Sequence, residues 1–146
     1  LSSAELYSSQ IDNISSIISA KKQVRNKLVT LQRSFPKKYG SGKKFAIIEG
    51  RDIGTIIFPK ANYKIFLWAA AEVRAKRRYE QLRKNGKNVS YSKIFSEINV
   101  RDRKDMTRKI APLMPAANSV LLDTTYIDIE QAFNAIKEII RRTKTT

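Results

Sequence analysis

The sequence predicts an α/β fold, a parallel sheet flanked by helices, and three features of its patterning predict it. Short apolar runs bounded by turn residues stand at Phe45-Ala46-Ile47-Ile48, Tyr63-Lys64-Ile65-Phe66-Leu67-Trp68 and Ser119-Val120-Leu121-Leu122-Asp123, as expected of strands covered on both faces. Helical periodicity fills about 71–84, 90–108 and 128–142, between and after them. Strands that alternate with helices need crossover connections, which bring successive strands parallel. A length of 146 residues suits one compact domain or a large piece of one.

Taken in order, residues 3–35 read as helical, because Val24, Leu28, Leu31 and Phe35 recur at helical steps and mark one apolar stripe. Pro36 and the Gly40-Ser41-Gly42 stretch end it. The first strand runs directly into Glu49-Gly50-Arg51-Asp52-Ile53-Gly54-Thr55, whose Gly and Asp residues favour a turn. Asn85-Gly86-Lys87 reads as the turn between the helices at 71–84 and 90–108, with Ser90 capping the second. The last helix sets Ile129, Phe133, Ile136 and Ile140 on one face. There is no internal repeat and no low-complexity segment.

Hydrophobic residues make up 42% of the chain and charged residues 29%, the balance of a soluble globular protein rather than a disordered tail. The sequence has no cysteine and no histidine, which excludes a disulfide framework and removes the usual zinc ligands. No metal ligands are assigned, and a cytoplasmic setting is expected. No apolar run approaches the roughly 20 residues of a membrane helix, and no basic-then-apolar leader is evident, so no membrane partner is expected. Twenty-nine Lys and Arg against 13 Asp and Glu give +16, which attracts nucleic acid, anionic membranes or phosphorylated small molecules. Lysine pairs such as Lys37-Lys38 and Lys43-Lys44 read as solvated surface. The arginines are sharper, because a guanidinium grips phosphate with two parallel hydrogen bonds where an ammonium is a point charge.

Two constellations carry chemistry. On the helix at 90–108, Ile94 and Ile98 set a buried stripe that continues through Arg101, Asp105 and Arg108, all within one narrow arc. An i,i+4 surface pair between Arg101 and Asp105 would explain two of them. A charged trio prolonging a core-facing stripe instead faces a cleft, where two arginines and a carboxylate suit a phosphate and a sugar hydroxyl. The second constellation is the Arg51-Asp52 pair just beyond the first strand, where open α/β sheets gather ligands.

Glu49 through Pro59, Lys64-Ile65-Phe66-Leu67, Arg77 through Leu82, Arg101-Asp102 through Arg108, and Ala111 through Ala116 together resemble the successive signatures of bacterial cytidylate kinases, in the family's order and spacing. The resemblance covers roughly residues 5 to 140. It implies phosphoryl transfer from ATP, carried with Mg2+, to CMP or dCMP, with these small molecules as partners of a monomer. Asp52, Arg25 and Ser16 match the positions that hold the cytosine. Arg51, Arg101 and Arg108 match the phosphate-binding, catalytic positions, and Asp105 one that contacts the sugar together with Arg101. Arg74, Arg77 and Arg78 fall close to the mobile lid that covers ATP in the family, where they are assigned to the donor phosphates.

The resemblance departs at the N-terminus. The family opens with a strand and a Walker A loop, and no G-x-x-x-x-G-K-[ST] occurs in these 146 residues. Lys38 through Lys44 is no substitute, since no Ser or Thr follows its lysines and it precedes a strand rather than following one. The expectation is therefore a P-loop kinase-like sheet lacking its N-terminal P-loop strand and helix. Residues 1–146 form a partial nucleoside monophosphate kinase domain, with a monophosphate-binding region at about 1–43 and a core at about 44–146 that includes a short lid near 74–90. A noncatalytic CMP-binding piece is one alternative. A basic nucleic-acid-binding domain is another, but it calls for exposed aromatics among basic residues. Most aromatics here sit in apolar stripes or strands, so nucleic acid is not an expected partner.

Overall fold

The computed structural model describes residues 11, 14, 15, 17, 18, 21–39 and 46–143. Within them lie four helices and two strands: α1 Lys22–Tyr39, β1 Ile65–Trp68, α2 Ala71–Lys84, α3 Tyr91–Thr107, β2 Val120–Asp123 and α4 Ile129–Thr143, with a five-residue π-helical turn at Ile53–Ile57. β1 and β2 pair in parallel with Ile65 opposite Val120 and Trp68 opposite Asp123. The connection between them carries α2 and α3, as parallel pairing demands.

The helices at 71–84, 90–108 and 128–142 and the second and third strands match the sequence expectation to within two residues. The first helix differs. Its backbone is helical at Ile11, Ile14, Ser15, Ile17 and Ile18 and bends at Lys21, whose N–H donates to the Ile18 carbonyl at 3.0 Å, a tighter three-residue step. Pro36 does not stop α1, which runs on to Tyr39. A proline this near the C-terminal end forfeits one N–H bond, and three residues of helix follow it.

The expected strand at 45–48 is also corrected over its described part. Ala46 to Glu49 carry no ladder, and Ile47 is 87% exposed. An apolar run becomes a strand only beside another strand, and among the described residues none lies next to it.

The ends of the helices explain themselves. Beyond α2, the Gly86 N–H donates to the Arg83 carbonyl and the Lys87 N–H to the Leu82 carbonyl, both at 3.0 Å. Gly86 adopts φ +73°, so this is a Schellman ending that glycine permits without strain. At the start of α4, Asp128 Oδ1 accepts from the Gln131 N–H at 2.8 Å while Gln131 Oε1 accepts from the Asp128 N–H at 2.9 Å, a reciprocal capping box. Ser90 precedes α3 as expected, but its hydroxyl pairs with that of Ser92 instead of capping an N–H.

Among the described residues the buried apolar side chains are Ile57, Ala69, Ala75 and Ile94, and three of the four are small or sit at the ends of elements that border the site. By contrast Leu67, Trp68, Leu121, Ile129 and Phe133 are more than half exposed. Parallel strands normally lie under cover, so residues 1–146 expressed alone should bind a hydrophobic dye and self-associate. Dye fluorescence with sedimentation velocity tests this, and a dye-silent monomer is the contrary outcome.

Candidate functional site

The site is assembled where α1, the segment after Ile48 and the C-terminal end of α3 meet. Asp52 starts the π-helical turn: its carbonyl accepts from the N–H groups of Ile56 at 2.8 Å and Ile57 at 3.2 Å. Its carboxylate takes a hydrogen bond from Arg25 Nη2 on α1, and both side chains are largely buried. Gly54 permits the next approach, because a Cβ there would stand 3.1 Å from Ala116 Cβ. The turn therefore packs directly on the 111–116 loop.

Asp105 lies at the centre. It is 6% exposed, and its two carboxylate oxygens face Arg51 Nη1 at 3.5 Å and Arg108 Nη1 at 3.7 Å. Arg108 is the residue at which α3 gives way to extended backbone, so it is not the last member of a helical stripe. Its Nε donates to the Ala111 carbonyl at 2.5 Å, and its Nη2 is buried with no hydrogen-bond partner among the described residues. Ala111 holds φ +50°, an unfavourable conformation for a residue with a Cβ. The Arg108 bond and the Leu113 N–H to Asp105 carbonyl bond at 2.8 Å fasten the backbone around it.

Between α1 and this loop system lies a cavity of about 170 Å3. Arg25, Leu28, Val29 and Gln32 line it from α1, with Arg51, Asp52, Ile57 and Arg108 opposite. Four of the residues singled out in the sequence therefore border one space, and Asp105 braces two of them from behind. Two guanidinium groups on one carboxylate leave a positive excess, and the spare Arg108 Nη2 is an unused donor, so the cavity favours a small anion. A larger hollow of about 480 Å3 between α2 and α3 is lined by Tyr79, Tyr91 and the Glu72, Lys76 and Glu80 side chains with Val73. It gathers none of the converging arginines, so the smaller cavity is the stronger candidate.

The remaining expected residues are placed differently. Arg101 is exposed on α3 and does not line the cavity. Ser16 lies outside the described residues. Arg74 donates to the Ala69 carbonyl at 2.8 Å and to Asp102 Oδ2 at 2.6 Å, bracing the start of α2 against α3. Arg77 Nη2 donates to the carbonyls of Thr124 at 2.6 Å and Ile127 at 3.0 Å, and Arg78 Nη1 to Gln81 Oε1 at 2.9 Å. These three arginines do not converge.

Sequence reasoning assigned no role to Arg33, Gln32 or Asp102. Arg33 donates from Nη2 to the Ile56 carbonyl at 2.8 Å and from Nε to the Ile57 carbonyl at 2.9 Å. Its partners are main-chain atoms more than 20 residues away, which no side-chain pattern reveals. Among the described residues no helix is long and apolar enough to cross a membrane.

A family model described as cytidylate kinase matches residues 1–142. The chain is 38% identical over 139 residues to a cytidylate kinase of Granulibacter bethesdensis, 37% over 139 residues to one of Methylococcus capsulatus, and 40% over 140 residues to one of Salmonella choleraesuis. These alignments cover 95%, 95% and 96% of this chain and 64%, 60% and 60% of those proteins. The chain thus spans less than two thirds of the length of the curated relatives it matches.

Removing Asp105 strands the largely buried Arg108 without its counter-charge. Asp105→Ala should therefore cost about 3 kcal/mol of stability, whereas Arg51→Ala, whose side chain is 42% exposed, should cost under about 1 kcal/mol. Denaturant melts of the two variants in the full-length protein measure the order, and equal costs would remove Asp105 from the centre of the arrangement.

Proposed function

The chain belongs to the cytidylate kinase family, and from that premise we propose that it is the acceptor-binding part of an enzyme that moves the γ-phosphoryl group of ATP to CMP or dCMP, in the cytoplasm. The observation that carries this reading is the convergence of the Arg25–Asp52 pair and the Arg51–Asp105–Arg108 cluster on one cavity. One end offers a carboxylate and a guanidinium to a base edge, and the other offers guanidinium charge to a phosphate.

In this reading Asp52 accepts a hydrogen bond from the cytosine amino group, and Arg25 and Ser16 serve the acceptors of the base. Uracil presents a carbonyl where cytosine has the amino group, so it would leave Asp52 unpaired, and a polar site left unpaired discriminates strongly. Arg51 and Arg108 hold the monophosphate, while Arg101, which stands exposed outside the cavity, would have to turn inward to join them and to meet the sugar with Asp105. One oxygen of that phosphate attacks the γ-phosphorus of ATP in line, the bond to the β-phosphate oxygen breaks, and ADP departs. The protein's contribution is alignment and positive charge around the migrating group. Arg74, Arg77 and Arg78 lie beside a lid at about 74–90, where a change of partners would bring them to the donor phosphates and closure would exclude water.

Mg2+ enters with ATP. Among the described residues there is no group of three or more Asp or Glu that could hold a metal ion. The 146 residues contain no Walker A sequence, whose amides and lysine cradle donor phosphates. Residues 1–146 are accordingly read as a partial domain, with acceptor elements at about 1–43 and a core at about 44–146. Alone it acts as a noncatalytic CMP-binding piece.

In the full-length protein, Asp52→Asn should lower the preference for CMP over UMP by about 1.5–3 kcal/mol, the worth of a hydrogen bond to a charged group. Equal relative kcat/KM values for the two nucleotides would refute the role of Asp52. Asp105→Ala should alter CMP and dCMP kinetics unequally, and residues 1–146 alone should form no CDP from ATP and CMP. Turnover by that piece comparable to the full-length protein would mean that it builds a donor site of its own.

A further inference from the structure

The π-helical turn after Asp52 ends for a covalent reason. Its i→i+5 bonds run from the Ile57 N–H to the Asp52 carbonyl and from the Phe58 N–H to the Ile53 carbonyl, and the next donor in that ladder would be Pro59, which has no N–H. The carbonyls of Ile56 and Ile57 therefore project beyond the last ladder bond. Arg33 takes both with adjacent nitrogens of one guanidinium, a planar fork that a lysine cannot reproduce. It also brings positive charge to a helical C-terminus, where carbonyl dipoles favour it. Eight residues earlier on the same helix, Arg25 holds the Asp52 carboxylate at the other end of the turn.

We propose that Arg33 is a positioning residue for base selection: with Arg25 it clamps both ends of the Asp52–Ile57 segment onto α1 and so fixes where the Asp52 carboxylate stands. The inference rests on the reading of Asp52 as the cytosine reader. A base that takes a hydrogen bond to Asp52 competes with Arg25 for that carboxylate. When the Arg25 end is shared with the base, the Arg33 end still holds the segment in register. Arg33 and Ile56 are exposed, so water replaces the bond to the Ile56 carbonyl when Arg33 is removed, whereas the Ile57 carbonyl, in a residue 2% exposed, loses its partner. The loss then falls on register as well as on folding, and the thermal melts separate the two.

The test measures kcat/KM for CMP and UMP, with thermal melts, in the full-length protein and its Arg33→Ala, Arg33→Lys and Asp52→Asn variants. Arg33→Ala should lower the CMP to UMP ratio by on the order of tenfold, less than the hundredfold that a full ångström of misplacement can cost. Arg33→Lys should fall between it and the unaltered protein. An unchanged ratio in Arg33→Ala, alongside a lowered one in Asp52→Asn, overturns the proposal and leaves Arg33 a purely structural residue. An unchanged ratio in Asp52→Asn overturns the base-reading role itself and this inference with it. Should Arg33→Ala fail to fold, Arg33→Lys decides, and a ratio equal to that of the unaltered protein counts against the clamp.

Discussion

A carboxylate cannot stay buried without positive charge beside it, and Asp105 meets that requirement by recruiting arginines from two separate parts of the chain. Arg51 comes from the segment after Ile48 and Arg108 from the point where α3 ends. The backbone of Asp105 also receives the Leu113 N–H, so this residue ties α3, the 111–116 loop and the Arg51-Asp52 segment into one arrangement. Because Gly54 lets that segment lie against Ala116, its position follows from the same constraint. The wall of the cavity opposite α1 holds its shape because these three pieces cannot separate without exposing a charge imbalance.

The same residues explain why the cavity is electrostatically unfinished. A single carboxylate between two guanidiniums leaves charge uncompensated, and one nitrogen of Arg108 is buried with no partner among the described residues. Such a donor is costly in an empty protein and useful in one that binds an anion. At the other end Arg25 and Asp52 satisfy one another, and in the proposed reading a base would take their place with both a donor and an acceptor. A ligand with phosphate at one end and a base with an amino group at the other fits both conditions at once. The Arg74–Asp102 bond joins the base of α2 to the same helix that carries Asp105, so any movement of α2 and its turn pivots on that helix.

Local periodicity made α2, α3, α4 and the two paired strands legible, since each is long enough or apolar enough for its own residues to decide it. The run at 45–48 was equally apolar and still formed no strand over its described residues, because a strand is a relation between two segments and sequence shows only one of them. Pro36 illustrates the reverse error: a strong local breaker was overridden near the end of a helix whose earlier turns were already fixed. At the site, Ile94 and Asp105 of the expected arc are buried and Ile98 is half-buried, but Arg101 of the same arc is exposed, and Arg108 reaches the cluster from beyond the helix end. Arg33 and Asp102 were invisible for a simpler reason. One binds main-chain carbonyls and the other a distant arginine, and neither relation leaves a mark in spacing.

The cavity beside α1 and the sheet depend on different interactions. Arg25, Arg33, Asp52, Asp105 and Arg108 act through α1, the π-helical turn and the end of α3, and none of these contacts passes through β1 or β2. The sheet is held by a short parallel ladder, by Thr124 bonds to the Trp68 carbonyl and by Arg77 reaching the loop after β2, with much of its apolar surface exposed. Parallel strands gain little stability without cover on both faces. Stability of the sheet and the shape of the cavity are therefore set by separate groups of residues. Substitutions that loosen Leu67 or Leu121 act on the folding equilibrium, while substitutions at Asp52 or Arg33 act on the cavity, and the Arg74–Asp102 bond is where the two systems meet.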